Sequence, residues 1–144
     1  MSTQNALSGL APAKINLLLH VGPLRADGYH PLVSLAAFAD VGDRVAVRRA
    51  EALSLTVEGP FAAGLEADGD NLIIKALLAL GEAAGTGAPP VAVTLDKRLP
   101  IASGLGGGSA DAGAALRLTE RLLDLDMPEA ELERLALAAG ADGP

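Results

Sequence analysis

The sequence contains no cysteine, so neither a disulfide framework nor a thiolate metal site can be built from it. Tryptophan is also missing, and one tyrosine and two phenylalanines are the whole aromatic complement; the hydrophobic half of the chain is mostly alanine, leucine and valine. No uninterrupted apolar run approaches the roughly 20 residues of a membrane span. The amino terminus, MSTQNALSGLAPAK, lacks the basic start and apolar core of a secretory signal. Basic charge is scarce too: 11 Lys and Arg against 18 Asp and Glu leave a formal net charge of −7. That balance argues against a nucleic-acid partner, which would call for a basic face, so any phosphate must be held locally. The expectation is a soluble cytoplasmic protein with no membrane partner, no nucleic-acid partner and no metal site of its own. At 144 residues the chain suffices for one domain with a real core.

What the sequence has in excess is glycine at one place. Residues 100–113 read PIASGLGGGSADAG. Upstream, Val91, Val93 and Leu95 alternate with Ala92, Thr94 and Asp96, the pattern of a half-buried strand. Downstream, Ala112, Ala115, Leu116, Leu122 and Leu123 recur at helical spacing, with Arg117, Glu120 and Arg121 between them. The segment therefore reads as strand, glycine loop and helix, with Ser109 as a natural N-cap. Gly104, Gly106, Gly107 and Gly108 would bring backbone N–H groups together at the positive end of that helix, which suits an anion and above all phosphate. No lysine follows the glycines as a Walker loop requires, and Ser109 stands where a dinucleotide fingerprint needs its third glycine. A flexible turn before a capped helix remains the alternative. Four glycines are many for a simple turn, since each gives up extra chain entropy on folding.

Elsewhere the pattern alternates between strands and helices. Residues 1–9 are small and polar and are expected to fray. From Ala13 a strand is expected with Ala13, Ile15, Leu17, Leu19 and Val21 on one face and Lys14, Asn16 and His20 on the other. Asp27-Gly28 marks a turn, and strands are expected over residues 43–49 and 52–58. Asp70 or Asn71 can cap a helix with Leu72, Ile73, Ala76, Leu77 and Leu80 inward, ending near Gly85. A last helix is expected after an Asp126 cap, with Pro128 in its first turn, Leu132, Leu135, Ala136 and Ala139 inward, and Gly140 as its stop. Strands, helix, strand, then two helices make an α+β domain.

Several residues raise chemical questions that their own surroundings leave open. Lys14 is either a solvent-reaching lysine of an edge strand or, in company with Asn16, part of a polar site. Tyr29 and His30 either cover the end of the sheet or offer a stacking and hydrogen-bonding surface to a planar ligand. Asp111 is accounted for as an acid near a helix start, without any ligand. Asp142, before a glycine, looks like a turn residue and becomes interesting only as a base for phosphorylating an alcohol.

Taken together, PAKINL from Pro12, RADGYH from Arg25, DKRLP from Asp96, the loop Gly104 to Ser109 and Gly140-Ala141-Asp142 closely resemble the diphosphocytidyl-methylerythritol kinases of the GHMP superfamily. The glycine motif alone points only to the superfamily; PAKINL with RADGYH is much more specific. The resemblance spans Pro12 to Asp142. It implies a GHMP-kinase amino-terminal domain, ribosomal protein S5 domain 2-like, with a mixed sheet packed against helices. Residues 10–144 would form this ATP-binding domain, incomplete, and the carboxy-terminal domain of the family would be absent from the chain. The implied cofactors are ATP and the Mg²⁺ that accompanies it, and the implied acceptor is the 2-hydroxyl of 4-diphosphocytidyl-2-C-methyl-D-erythritol.

Residue by residue, the resemblance implies Lys14 and Asp142 as the catalytic pair, with Asp142 the base. Asn16, Tyr29 and His30 would bind the acceptor. Lys97, Pro100, Gly104, Leu105, Gly106, Gly107, Gly108 and Ser109 would bind ATP. Two departures stand out. Ala36 occupies the place of an aromatic residue that faces the cytosine ring, with Phe38 two positions on, and the chain stops at Pro144 where the family continues. The alternatives are another GHMP kinase, acting on mevalonate, homoserine or a sugar, and an inactive nucleotide-binding module. Self-association through the surface left by the missing domain is a further expectation.

Overall fold

The computed structural model describes residues 5–29, 32–65, 67, 71–101 and 107–141. In chain order its elements are β1 (Ala6–Val21), β2 (Leu32–Arg49), β3 (Ser54–Glu58), α1 (Leu72–Ala84), β4 (Val91–Asp96), α2 (Gly107–Leu123) and α3 (Glu129–Ala141). The strands form one mixed sheet in the order β1-β2-β4-β3. β1 with β2 and β2 with β4 are antiparallel, whereas β3 and β4 are parallel. A parallel pair cannot be closed by a tight turn, and α1 supplies the crossover.

Periodicity explains which residues face inward. On β2 Asp43, Val45 and Val47 are buried while Arg44, Ala46 and Arg48 are exposed, and on β4 Val91, Val93 and Leu95 are buried. Asn71 caps α1, its Oδ1 accepting from the Ile73 amide at 2.9 Å. Gly85 ends that helix at φ 72°, a left-handed conformation that glycine adopts without steric cost. Ile73, Ala76, Leu77 and Leu80 point from α1 into the core, where Ala112, Ala115, Leu116 and Leu122 of α2 meet them. α2 is the central helix, packed on β1 and β2 and flanked by α1 and α3.

Several local expectations are corrected. β1 begins at Ala6, inside the segment expected to fray, because residues 6–12 pair with residues 42–48 of β2. β2 begins at Leu32, far ahead of the expected residue 43, since pairing with β1 holds a stretch that shows no clean alternation. Two register shifts interrupt that pairing, between Pro12 and Lys14 and between Asn16 and Leu18. The second falls within the stretch from Ala13 to Val21 that the sequence reads as one regular strand. At the first, Gly42 is required by close approach: a Cβ there would overlap the Ala11 carbonyl.

The helix ends differ as well. α2 begins at Gly107, so Ser109 is its third residue rather than its N-cap. Asp126 does not cap α3: it sits at φ 52°, and with Asp124 at φ 53° it reverses the chain between the helices. Aspartate tolerates this left-handed region better than most side chains. α3 starts after Pro128, whose carbonyl accepts from the Leu132 amide at 3.1 Å, and it runs through Gly140 to Ala141.

Adjacent residues of α1 provide a test of this packing. Leu77 is fully buried and Leu78 is 45% exposed. Leu77→Ala is expected to destabilise the fold by about 2–5 kcal/mol in urea denaturation, and Leu78→Ala by less than about 1 kcal/mol.

Candidate functional site

The strand–loop–helix segment places three charged side chains in the interior. Asp43 lies on the buried face of β2, Lys97 follows β4 in the same inward parity as Val93 and Leu95, and Asp111 shares a helical face with Ala115 and Leu122. Lys97 Nζ donates to Asp43 Oδ2 at 2.7 Å and to Asp111 Oδ2 at 3.0 Å, with its side chain 4% exposed. Asp43 Oδ1 accepts from the backbone amides of Arg98 at 2.6 Å and Leu99 at 2.8 Å, so one carboxylate fixes both the lysine and the turn after β4. Asp111 Oδ1 is buried without a hydrogen-bond partner. Gly107 packs over this cluster: a Cβ there would stand 3.0 Å from Lys97 Nζ.

One ammonium cannot neutralise two carboxylates, and the acids divide accordingly. Burial pushes the Asp111 carboxyl up to about 7, with Asp43 beside it adding to the rise and Lys97 opposing it. Burial also disfavours the Asp43 charge, but hydrogen bonds from Asp111, Lys97 and the Leu99 and Arg98 amides outweigh it and hold Asp43 below its ordinary value. Lys97 is likewise disfavoured by burial, and its two carboxylate partners outweigh that and raise it. Asp111, which the sequence alone explained as an acid near a helix start, is instead a buried partner of Lys97.

On the opposite side of α2 an open groove of about 980 Å³ runs between β1, β2 and α3. Leu10, Phe38, Leu118 and Leu137 give it apolar walls, and Phe38 and Leu137 stay 69% and 74% exposed. Lys14, Ser109, Arg117 and Arg121 supply donors and Glu133 adds one carboxylate, so cations outnumber acids along it. The first-turn amides of any helix lack intrahelical acceptors and carry the positive end of its dipole. In α2 that turn holds Gly107, Gly108 and Ser109 and no acidic side chain; the first carboxylate along the helix, Asp111, is turned inward against Lys97. The groove mouth is therefore chemically fit for an anion.

Of the residues singled out in the sequence, Lys14 and Ser109 line this groove together. Gly107 and Gly108 open α2 beside it. Asn16 pairs with Ala36 two positions beyond the pairing of Lys14 with Phe38, in an uninterrupted stretch of β1. Lys97 is buried at the base of α2 with its ammonium directed to two carboxylates, and Pro100 is exposed. Tyr29 is not among the groove residues. It is 73% exposed in a turn closed by Arg25 and Asp27, its amide donating to Asp27 Oδ1 at 3.1 Å. His30, Gly104, Leu105, Gly106 and Asp142 lie outside the described residues. Sequence reasoning missed Asp43 entirely, although its parity with Val45 and Val47 was a usable signal.

A mixed sheet backed by α2, with a glycine-flanked helix start opening on a cationic groove, defines an α+β domain of the GHMP type. The family model described as GHMP kinases N terminal domain matches residues 71–143, just over half the chain, and the chain belongs to that family. A curated relative from Caulobacter sp., named 4-diphosphocytidyl-2-C-methyl-D-erythritol kinase, is 53% identical over 137 residues, covering 95% of this chain and 47% of its own. A crystal structure of 4-(cytidine 5'-diphospho)-2C-methyl-D-erythritol kinase superposes with a TM-score of 0.74 at 39% identity, over 96% of this chain and 47% of that one. Homoserine kinase from Cytophaga hutchinsonii shares the fold at a TM-score of 0.72 and 22% identity, over 96% of this chain and 42% of that one. The chain thus spans about half the length of the curated relatives it matches.

The buried acids give a pH dependence with a definite sign. Between about 4, the unfolded value of an aspartate, and about 7, folded Asp111 keeps a proton that the unfolded chain has released. The native state then binds more protons, so unfolding free energy falls as pH rises through this window. Asp43, held low, acts in the opposite sense only below its ordinary value of 3.8, and Lys97, held high, loses its contribution only above 10.5. Asp111→Asn is expected to flatten the slope of stability between pH 4 and 7 in denaturation measurements, whereas Asp43→Ala is expected to cost about 3–5 kcal/mol by leaving buried charge unpaired.

Proposed function

We propose that this chain is the nucleotide-binding part of an ATP-dependent kinase that phosphorylates the 2-hydroxyl of 4-diphosphocytidyl-2-C-methyl-D-erythritol. The observation that carries this reading is the groove in which Lys14 and Ser109 stand together at the start of α2. The names of relatives 50–53% identical across at least 95% of the chain support the choice of acceptor. The loop from Gly104 to Ser109, entered through Pro100, wraps the ATP phosphates, and the first amides of α2 donate to them. Lys14 polarises the acceptor hydroxyl while Asp142 takes its proton; the hydroxyl oxygen attacks the γ-phosphorus and ADP departs. Asn16 holds the methylerythritol portion, and Tyr29 and His30 receive the cytosine end.

Mg²⁺ arrives with ATP and offsets charge on its phosphates. Among the described residues no group of three or more His, Cys, Asp or Glu side chains is gathered for a metal, and the donors proposed for the phosphates are the first amides of α2. The inferred setting is the cytoplasm; among the described residues no helix is long and apolar enough to cross a membrane.

Calorimetric titration and a phosphoryl-transfer assay on the same 144-residue chain test the reading. Binding of Mg²⁺ and an ATP analogue, with transfer to the cytidine diphosphate acceptor and not to mevalonate, homoserine or galactose, is the expected outcome. Lys14 is exposed, so Lys14→Met is expected to fold normally and to lower turnover about 10²–10³-fold. Equal transfer to all four alcohols would defeat the assignment of the acceptor, and nucleotide binding without any transfer would leave a binding module in its place.

A further inference from the structure

The one strongly buried ionic cluster of the described residues lies directly beneath the turn assigned to the nucleotide, and its lysine is committed elsewhere. Lys97 Nζ spends two donors on Asp43 and Asp111, at 2.7 and 3.0 Å, and its residue is 3% exposed. Gly107, the first residue of α2, closes over it so tightly that a Cβ would be 3.0 Å from the ammonium. An ammonium so enclosed cannot reach a phosphate in the groove on the other side of α2 without leaving two carboxylates unpaired in the interior.

We infer that Lys97 is a positioning residue rather than a nucleotide ligand: by clamping Asp43 of β2 to Asp111 of α2, it holds the first turn of α2 in register with the sheet and thereby sets nucleotide affinity. The inference rests on the reading that this turn binds ATP. Asp111 makes the clamp sensitive to protons and to the nucleotide's charge. The charged groups acting on it are Asp43 from β2 and Lys97 from beyond β4; among the described residues, β1, α1 and α3 bring no further charge into the cluster. A polyanion bound at the start of α2 disfavours ionisation of a carboxylate one turn away, so binding and protonation of Asp111 reinforce each other. Nucleotide affinity therefore falls as pH rises through about 7, where Asp111 ionises.

The test combines nucleotide titration with amide hydrogen exchange on the 144-residue chain. Affinity for Mg²⁺ and a non-hydrolysable ATP analogue is measured from pH 6 to 8.5 in the unaltered chain, Asp111→Asn, Lys97→Met and Lys97→Arg. Lys97→Met is expected to weaken binding about tenfold or more and to speed exchange in the first turn of α2, with partial recovery in Lys97→Arg. Asp111→Asn is expected to lose the pH dependence that the unaltered chain shows beyond the nucleotide's own titration, which is common to both. Should Lys97→Met fail to fold, Asp111→Asn, close to isosteric, carries the decision alone. If the unaltered chain binds the analogue and the variants match it in affinity, pH profile and exchange, the positioning role is overturned while the functional reading survives. If the unaltered chain binds no nucleotide, the functional reading falls and takes this inference with it.

Discussion

The arrangement of this domain hangs on a lysine held between two buried aspartates. Asp43, Lys97 and Asp111 come from three segments that are remote in sequence and adjacent in space, and each is all but removed from water. Buried ion pairs are seldom a large net source of stability, because desolvation offsets most of the attraction. Their structural force lies in what separation would cost. Once α2 carries Asp111 into the interior, the sheet must present Lys97 there, and Lys97 in turn needs Asp43. The cluster thereby dictates where α2 starts relative to β2 and β4, and the apolar contacts of Ala112, Ala115 and Leu116 fill the space so defined.

This logic also resolves an electrostatic conflict at the candidate site. A helix start suited to an anion is a poor place for an acidic side chain, yet Asp111 lies in the second turn of α2. Its carboxyl faces the protein interior, shares the Lys97 ammonium and retains a proton more readily than an exposed aspartate. At the groove side of the helix start stand Ser109, nearby Lys14 and the amides of two glycines, with Arg117 and Arg121 further along α2. Glycine thus serves both sides at once. At Gly107 the missing side chain admits the buried ammonium, a requirement distinct from the phosphate binding that the motif first suggested.

Much of this was legible in the sequence. The strand at Val91–Asp96, the helix capped by Asn71 and closed by Gly85, and the inward faces of all three helices follow from periodicity and capping. The cluster was legible in principle: Asp43 continues the parity of Val45 and Val47, Lys97 that of Val93 and Leu95, and Asp111 the helical face of Ala115 and Leu122. Nothing local says that three charges on three buried faces will meet, because pairing is a property of the packed structure. The early reach of β2 and the register shifts were hidden for a similar reason, since partner-strand hydrogen bonds outweigh weak local preference. The Asp126 turn was misread because a capping residue and a left-handed turn residue draw on the same amino acids.

In the proposed arrangement the α2 start receives a nucleotide's phosphates on one side while the Lys97 clamp fixes it from the other. Amide chemical-shift mapping with Mg²⁺ and an ATP analogue tests this most directly. The largest changes are expected on Gly107 through Ala110, with Lys97 still paired to Asp43 and Asp111 in the bound state. Changes centred elsewhere, or a Lys97 ammonium released from its carboxylates to meet the nucleotide, would contradict it.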